Sequence, residues 1–223
     1  MVGSWWAGSQ VGRGVRTLQR WARVSAVATG HLPGGVLCFL FAGLPVLSNE
    51  QMGLGCGAVA VLAGLGTLRS GAPPLAWPVL AYGGTMALAT VGSPVRGAAL
   101  DGLIKLLLYL LTFVGLTVYF REKPQGRLAV VWAYLLGALA TEVFGLRQAV
   151  LGAAPLATWT DAESPLAGVT RIYSFLGNPN LLAAYLLPAG PLGMAAAGQS
   201  RGIGPKILAG TIALLAVGCV PLT

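Results

Sequence analysis

From residue 24 onward the chain repeats one pattern: a long apolar run, a short polar break, then another apolar run. The runs cover residues 24–48, 52–68, 74–92, 100–120, 128–145, 181–198 and 207–222. A helix that crosses a bilayer needs about 17–25 mostly apolar residues. The pattern therefore predicts an all-α, polytopic membrane bundle of about six to seven transmembrane helices. The first run follows a basic stretch, as in a signal peptide, but the spans behind it make it an anchor that stays attached. Two regions fall outside the pattern. Residues 1–23 form a basic N-terminal segment, and residues 146–176 form the longest hydrophilic interruption, at about thirty residues too short for a domain of its own.

Composition narrows the class. The chain has 223 residues, of which 56% are hydrophobic and 9% charged, against about 25% charged in a soluble domain. That excludes a soluble enzyme, a disordered tail and a disulfide-stapled secreted module. The net charge of +8 resembles a nucleic-acid signal until its placement is considered. With the N-terminus in the cytoplasm, Arg13, Arg16, Arg20, Arg23, Arg69, Arg121, Lys123, Arg127, Arg201 and Lys206 fall on the cytoplasmic side. Arg96, Lys105, Arg147 and Arg171 fall on the other, with Glu50, Asp101, Glu142, Asp161 and Glu163. This is the positive-inside bias of a membrane protein. The surplus sets an orientation, with membrane lipids rather than nucleic acid as the expected partner. In the N-terminal segment the arginines recur every three or four residues among Val15, Leu18 and Trp21, with Trp5 and Trp6 upstream. That suits a basic helix on an anionic membrane face and equally an unstructured cytoplasmic tail.

Gly53, Gly55 and Gly57 lack the preceding strand and following acidic residue of a phosphate-binding loop. Gly53 and Gly57, with Ala60 and Gly64 continuing their face, predict a close helix contact in lipid instead. Cys38, Cys56 and Cys219 lie inside apolar runs without CxxC spacing, which predicts inert thiols rather than a zinc site or a disulfide. His31, the one histidine, lies at the cytoplasmic start of the first run and reads as interfacial. No Ser/His/Asp set, metal-ligand cluster or nucleotide loop is present, so no catalytic residue, metal or cofactor is expected.

The hydrophilic interruption carries Arg147, Trp159, Asp161, Glu163 and Arg171 and ends in Ser174-Phe175-Leu176-Gly177-Asn178-Pro179-Asn180. Asn178 is a preferred N-cap and Pro179 a preferred first helical residue, so a helix is predicted to start there. Its backbone N–H groups and positive dipole end, with Arg171 upstream, form a candidate anion site; the plainer reading is a capped span with an interfacial arginine. At the start of the fourth run lie Ser93-Pro94-Val95-Arg96, Asp101 and Lys105. Asp101 and Lys105 have the spacing of a helix ion pair, or Lys105 is a second cation facing an extracytoplasmic cavity together with Arg171. Glu142, inside a span, is a functional candidate by its position, with Arg147 five residues on as its expected partner.

The stretch from Thr170-Arg171-Ile172-Tyr173-Ser174 through Asn178-Pro179-Asn180-Leu181-Leu182-Ala183-Ala184-Tyr185-Leu186-Leu187-Pro188 resembles the cyanobacterial IctB family, within the wider O-antigen ligase and polymerase superfamily. Ser93-Pro94-Val95-Arg96, Lys105-Leu106-Leu107-Leu108-Tyr109-Leu110, Gly145-Leu146-Arg147-Gln148, Ala157-Thr158-Trp159 and Glu163-Ser164-Pro165-Leu166-Ala167-Gly168 add to the likeness. The resemblance implies inorganic-carbon (bicarbonate) transport in a bacterial inner membrane, with Arg171, Asn178 and Asn180, and more loosely Arg147 and Arg96, as anion-binding residues. The superfamily's other chemistry, glycan transfer from a polyprenyl-pyrophosphate carrier, is the alternative. Members of the family continue past the point matching Thr223, so the chain reads as an N-terminal fragment that lacks the ligases' catalytic histidine.

Overall fold

The computed structural model describes residues 14, 15, 17, 18, 20, 32–153 and 171–223, with the side chains of Arg69 and Ser70 left aside. His31, Trp159, Asp161, Glu163 and most of the basic N-terminal segment lie outside the described residues; the five described there are helical. The described residues form eight α-helices and no strand. These are α1 (Leu32–Gly43), α2 (Asn49–Ser70), α3 (Ala76–Val91), α4 (Arg96–Glu122), α5 (Gly126–Leu151), α6 (Pro179–Leu186), α7 (Ala189–Gln199) and α8 (Ile203–Cys219). Short 3-10 turns occupy Ser174–Leu176 and Val220–Leu222. Helices α6 and α7 lie along one membrane segment, Pro179–Gln199, so each of the seven apolar runs becomes one helical segment. Five of these segments are long and apolar enough to cross a membrane. The protein is a multi-pass, all-α membrane protein.

The chain divides into two compact units. The first comprises Met1–Leu40 and Ser48–Arg127, the second Phe41–Leu47 and Leu128–Thr223. In the first unit α4 packs against both α2 and α3. Helix α2 begins with a full capping box: Ser48 Oγ accepts from Gln51 N at 3.3 Å, and Gln51 Oε1 accepts from Ser48 N at 2.9 Å. At its other end Gly71 turns out with φ +78°, and its carbonyl accepts a hydrogen bond from Arg121 Nη2 at 2.5 Å. That bond puts the C-terminal ends of α2 and α4 on one side of the unit. Arg127 donates through Nε and Nη2 to the Phe120 carbonyl at 3.2 and 3.0 Å, a cation on the negative end of α4.

The α2–α4 contact uses a different face from the one the glycine spacing predicts. Gly53, Gly57 and Gly64 have open space where a side chain would project. The buried face is Cys56, Val59, Ala63 and Gly66, about 100° round the helix from 57, 60 and 64 at 3.6 residues per turn. Gly66 meets Val118, and a Cβ at Gly115 would lie 2.6 Å from Val59 Cγ1, 3.1 Å from Ala63 Cβ and 3.2 Å from the Val59 carbonyl oxygen. Small residues do make the close approach, but half of the pair sits on α4, where no spacing in α2 can reveal it. The two faces predict opposite signs. Gly57→Ala is expected to stabilise by about 0.5–1 kcal/mol through helix propensity, whereas Gly115→Ala is expected to lower the thermal midpoint in detergent. Equal shifts for the two would contradict this packing.

The core of the second unit gathers Tyr134, Leu135 and Ala138 of α5, Leu182 and Leu186 of α6, Ala189 and Ala196 of α7, and Ala209, Ile212, Ala216 and Cys219 of α8, with Ile172. Helix α5 is its centre, with 44% of its span buried against 17–33% for the other four long segments. Helices α7 and α8 approach so closely that a Cβ at Gly193 would meet the Ala209 carbonyl oxygen at 2.8 Å.

Helix bounds shift by several residues from the apolar runs, and two features of the second unit add to the sequence reading. The sixth segment starts at Pro179, as its cap predicts, and is divided into α6 and α7 at Leu187 and Pro188. Proline has no N–H to give the preceding turn, and Tyr134 Oη donates to the carbonyl of Tyr185 just before the break, satisfying a group that a helix end leaves open. Helix α5 continues to Leu151 rather than stopping at residue 145. The polar residues Arg147 and Gln148 look like loop, yet they sit on the last helical turns.

Candidate functional site

Of the five anion-binding candidates, four lie in the second unit and one in the first. Arg96 is the first residue of α4 and is exposed there, as are Asp101 and Lys105 further along the same helix. Arg147, Arg171, Asn178 and Asn180 surround the short turn 173–178.

That turn is built around hydrogen bonds to α5. Ser174 has φ +50°, in the left-handed region that only glycine enters freely. Its N–H donates to Gln148 Oε1 at 2.8 Å, and the same oxygen accepts from Tyr173 N at 3.1 Å. Ser174 Oγ donates to the Thr141 carbonyl at 2.7 Å. Phe175 stacks on Phe144 of α5 with centroids 4.4 Å apart, and the exposed Arg147 guanidinium lies 5.7 Å from the centre of the Phe144 ring. Gly177, at φ +66°, completes the reversal into α6. Sequence reasoning gave Thr141, Gln148 and Ser174 no role. Gln148 and Ser174 stood in the words that carried the family likeness, but only the fold shows them bonded to each other.

Asn178 caps α6 as expected, its Oδ1 accepting from Asn180 N at 2.8 Å and Leu181 N at 3.4 Å. The consequence departs from the sequence reading. Pro179 has no N–H, the next two go to the Asn178 side chain, and Leu182 N bonds to the Asn178 carbonyl at 3.0 Å. The helix end therefore presents its dipole but no open backbone donor. Donors to an anion come from side chains instead. Arg171 is exposed; its Nε donates to the Thr223 carbonyl oxygen at 2.7 Å and its Nη2 to Asn180 Oδ1 at 3.4 Å. These bonds aim the guanidinium and leave its other N–H groups available.

Glu142 does not pair with Arg147. Five residues on a helix are about 140° apart at 3.6 per turn, so Glu142 faces inward, fully buried, while Arg147 faces out. Glu142 also lies deeper than the sequence suggested, nine residues before the end of α5 at Leu151 rather than near it.

The fold and these residues define a multi-pass α-helical membrane protein with an arginine-bearing turn fastened to α5 of its second unit. Comparison with protein-family models, with curated proteins and with solved structures returns no match.

Proposed function

We propose that this chain belongs to the IctB-like branch of the O-antigen ligase-related membrane proteins and takes part in bicarbonate transport across a bacterial inner membrane. The N-terminus lies in the cytoplasm and the Arg171 turn on the opposite face. The observation that carries the reading is the exposed Arg171 guanidinium, held by Asn180 Oδ1 and the Thr223 carbonyl beside the capped end of α6. A fixed, open guanidinium near the positive end of a helix suits a small carboxylate-like anion. Asn180 turns its oxygen to Arg171 and keeps its NH2 group as a further donor. The ten-to-four division of basic residues between alternate polar breaks of the sequence supports the orientation.

A second reading, binding of a polyprenyl-pyrophosphate-linked glycan, is favoured by one observation. Arg147 flanks the same turn through Phe144 and Phe175, and two cations suit a pyrophosphate better than a monovalent anion.

The test uses the complete gene product in proteoliposomes. Labelled bicarbonate is expected to enter above the level of empty vesicles. Loss of one charge-assisted hydrogen bond, about 1.5–3 kcal/mol, predicts that Arg171→Ala weakens half-saturation by roughly ten- to a hundredfold. Absence of uptake defeats the transport reading. Uptake that ignores Arg171→Ala defeats the site. Tighter binding of a polyprenyl-pyrophosphate analogue than of bicarbonate, lost in Arg147→Ala, selects the second reading.

A further inference from the structure

The buried side-chain oxygens without a hydrogen-bond partner, among the described residues, are both carboxylate oxygens of Glu142 and the hydroxyl of Tyr185. All three lie in the core of the second unit. Glu142 is fully enclosed, on the α5 face that also carries Tyr134, Ala138, Thr141 and Gly145. Tyr185 projects from α6 to bring its hydroxyl against Gly137, five residues before Glu142 on α5. The titratable groups within electrostatic reach of the carboxyl are Tyr134 on its own helix, Tyr185 on α6 and Cys219 on α8. Helix α7 contributes Ala189, Leu192, Ala196 and Ala197 to this core, and the preceding segment Ile172 and Leu176, all of them apolar. Tyr134 is already committed, donating to the Tyr185 carbonyl.

An ionised carboxylate in such a place has lost its water and gained no compensating donor, an arrangement strongly disfavoured in a low-dielectric interior. The neutral acid avoids that penalty and turns one oxygen into a donor. A bound metal cation is a poor alternative. Hard cations of the calcium and magnesium kind take about six or more oxygen ligands, and no group of three or more His, Cys, Asp or Glu side chains capable of holding a metal occurs among the described residues. A proton needs a single oxygen.

We propose that Glu142 is a proton-binding site inside the membrane core of the second unit, occupied in the folded protein. Uptake of one proton converts the carboxylate to a carboxylic acid and cancels its charge; release restores both. The site gives the helical core one exchangeable charge with no fixed counter-ion, the property that couples proton movement to a membrane protein's work. The adjoining residue, Thr141, anchors Ser174 through its carbonyl, so the titrating group sits next to the attachment point of the Arg171 turn. The inference stands on the packing of this core and holds whichever ligand Arg171 takes.

Infrared difference spectroscopy on the complete protein in lipid tests it. At neutral pH the spectrum of the wild type minus that of Glu142→Gln is expected to contain the C=O stretch of a protonated carboxylic acid, shifted in D2O, and no carboxylate stretches. Carboxylate stretches at neutral pH overturn the proposal. If they also move when sodium replaces potassium, the group binds an alkali cation instead, which overturns it equally. Should the amide variant fail to fold, Glu142→Asp keeps the carboxyl, and the difference spectrum then carries a derivative-shaped acid band if the proposal holds and derivative-shaped carboxylate bands if it does not.

Discussion

Gly137→Val is expected to unfold the second unit at markedly lower temperature than the wild type. A Cβ at this position would lie 2.6 Å from the Ala42 carbonyl oxygen, 3.2 Å from its carbon and 2.9 Å from the Tyr185 hydroxyl. Two of the three obstacles are backbone, so a rotamer change cannot clear them. Overpacking of this kind costs about 1–3 kcal/mol and sometimes more. For a chain of this size 1 kcal/mol moves the midpoint by roughly 2–4 °C, so a drop of up to roughly 10 °C is expected from intrinsic fluorescence in detergent. An unchanged midpoint would mean that α5 does not approach Ala42 as described.

Gln148→Leu is expected to release the turn that carries Arg171. The substitution keeps the bulk of the side chain and removes the one oxygen that serves both Tyr173 N and Ser174 N. Leaving a partly buried donor unsatisfied costs about 1–3 kcal/mol. The left-handed conformation of Ser174, worth a further ~1–2 kcal/mol, also loses a restraint. Amide hydrogen exchange, read by mass spectrometry over residues 171–178, is expected to accelerate in the Leu variant and to return to wild-type rates in Gln148→Glu, which restores the acceptor. If exchange across this segment is the same in all three proteins, the clamp is not what orders it.

The seven helical segments were legible because a membrane leaves a chain few options. Apolar runs of span length must be helical, and Asn178 with Pro179 announced a helix start that the structure reproduces. The misreadings share a cause. Arg147 and Gln148 looked like loop because charge and polarity at the end of a span resemble the solvent side of it, whereas the helix simply carries them outward. That shift placed Glu142 too near the surface and suggested a partner on the wrong side of the helix. Glycine spacing in α2 showed a smooth face but not the one used, since Gly115 on a different helix decides the fit. The bonds that shape the candidate site join Thr141 and Gln148 to residues 25 to 33 positions away, a distance over which no local pattern operates.

Residues 171 and 172 are bonded to residues 222 and 223: Ile172 N donates to the Leu222 carbonyl at 3.0 Å, and Arg171 Nε to that of Thr223. A nascent chain emerges N-terminus first, so α6, α7 and α8 must all have been synthesised before these acceptors exist. Arg171 thus waits some fifty residues of translation for its final orientation, and the candidate anion site takes shape only once α8 has been made.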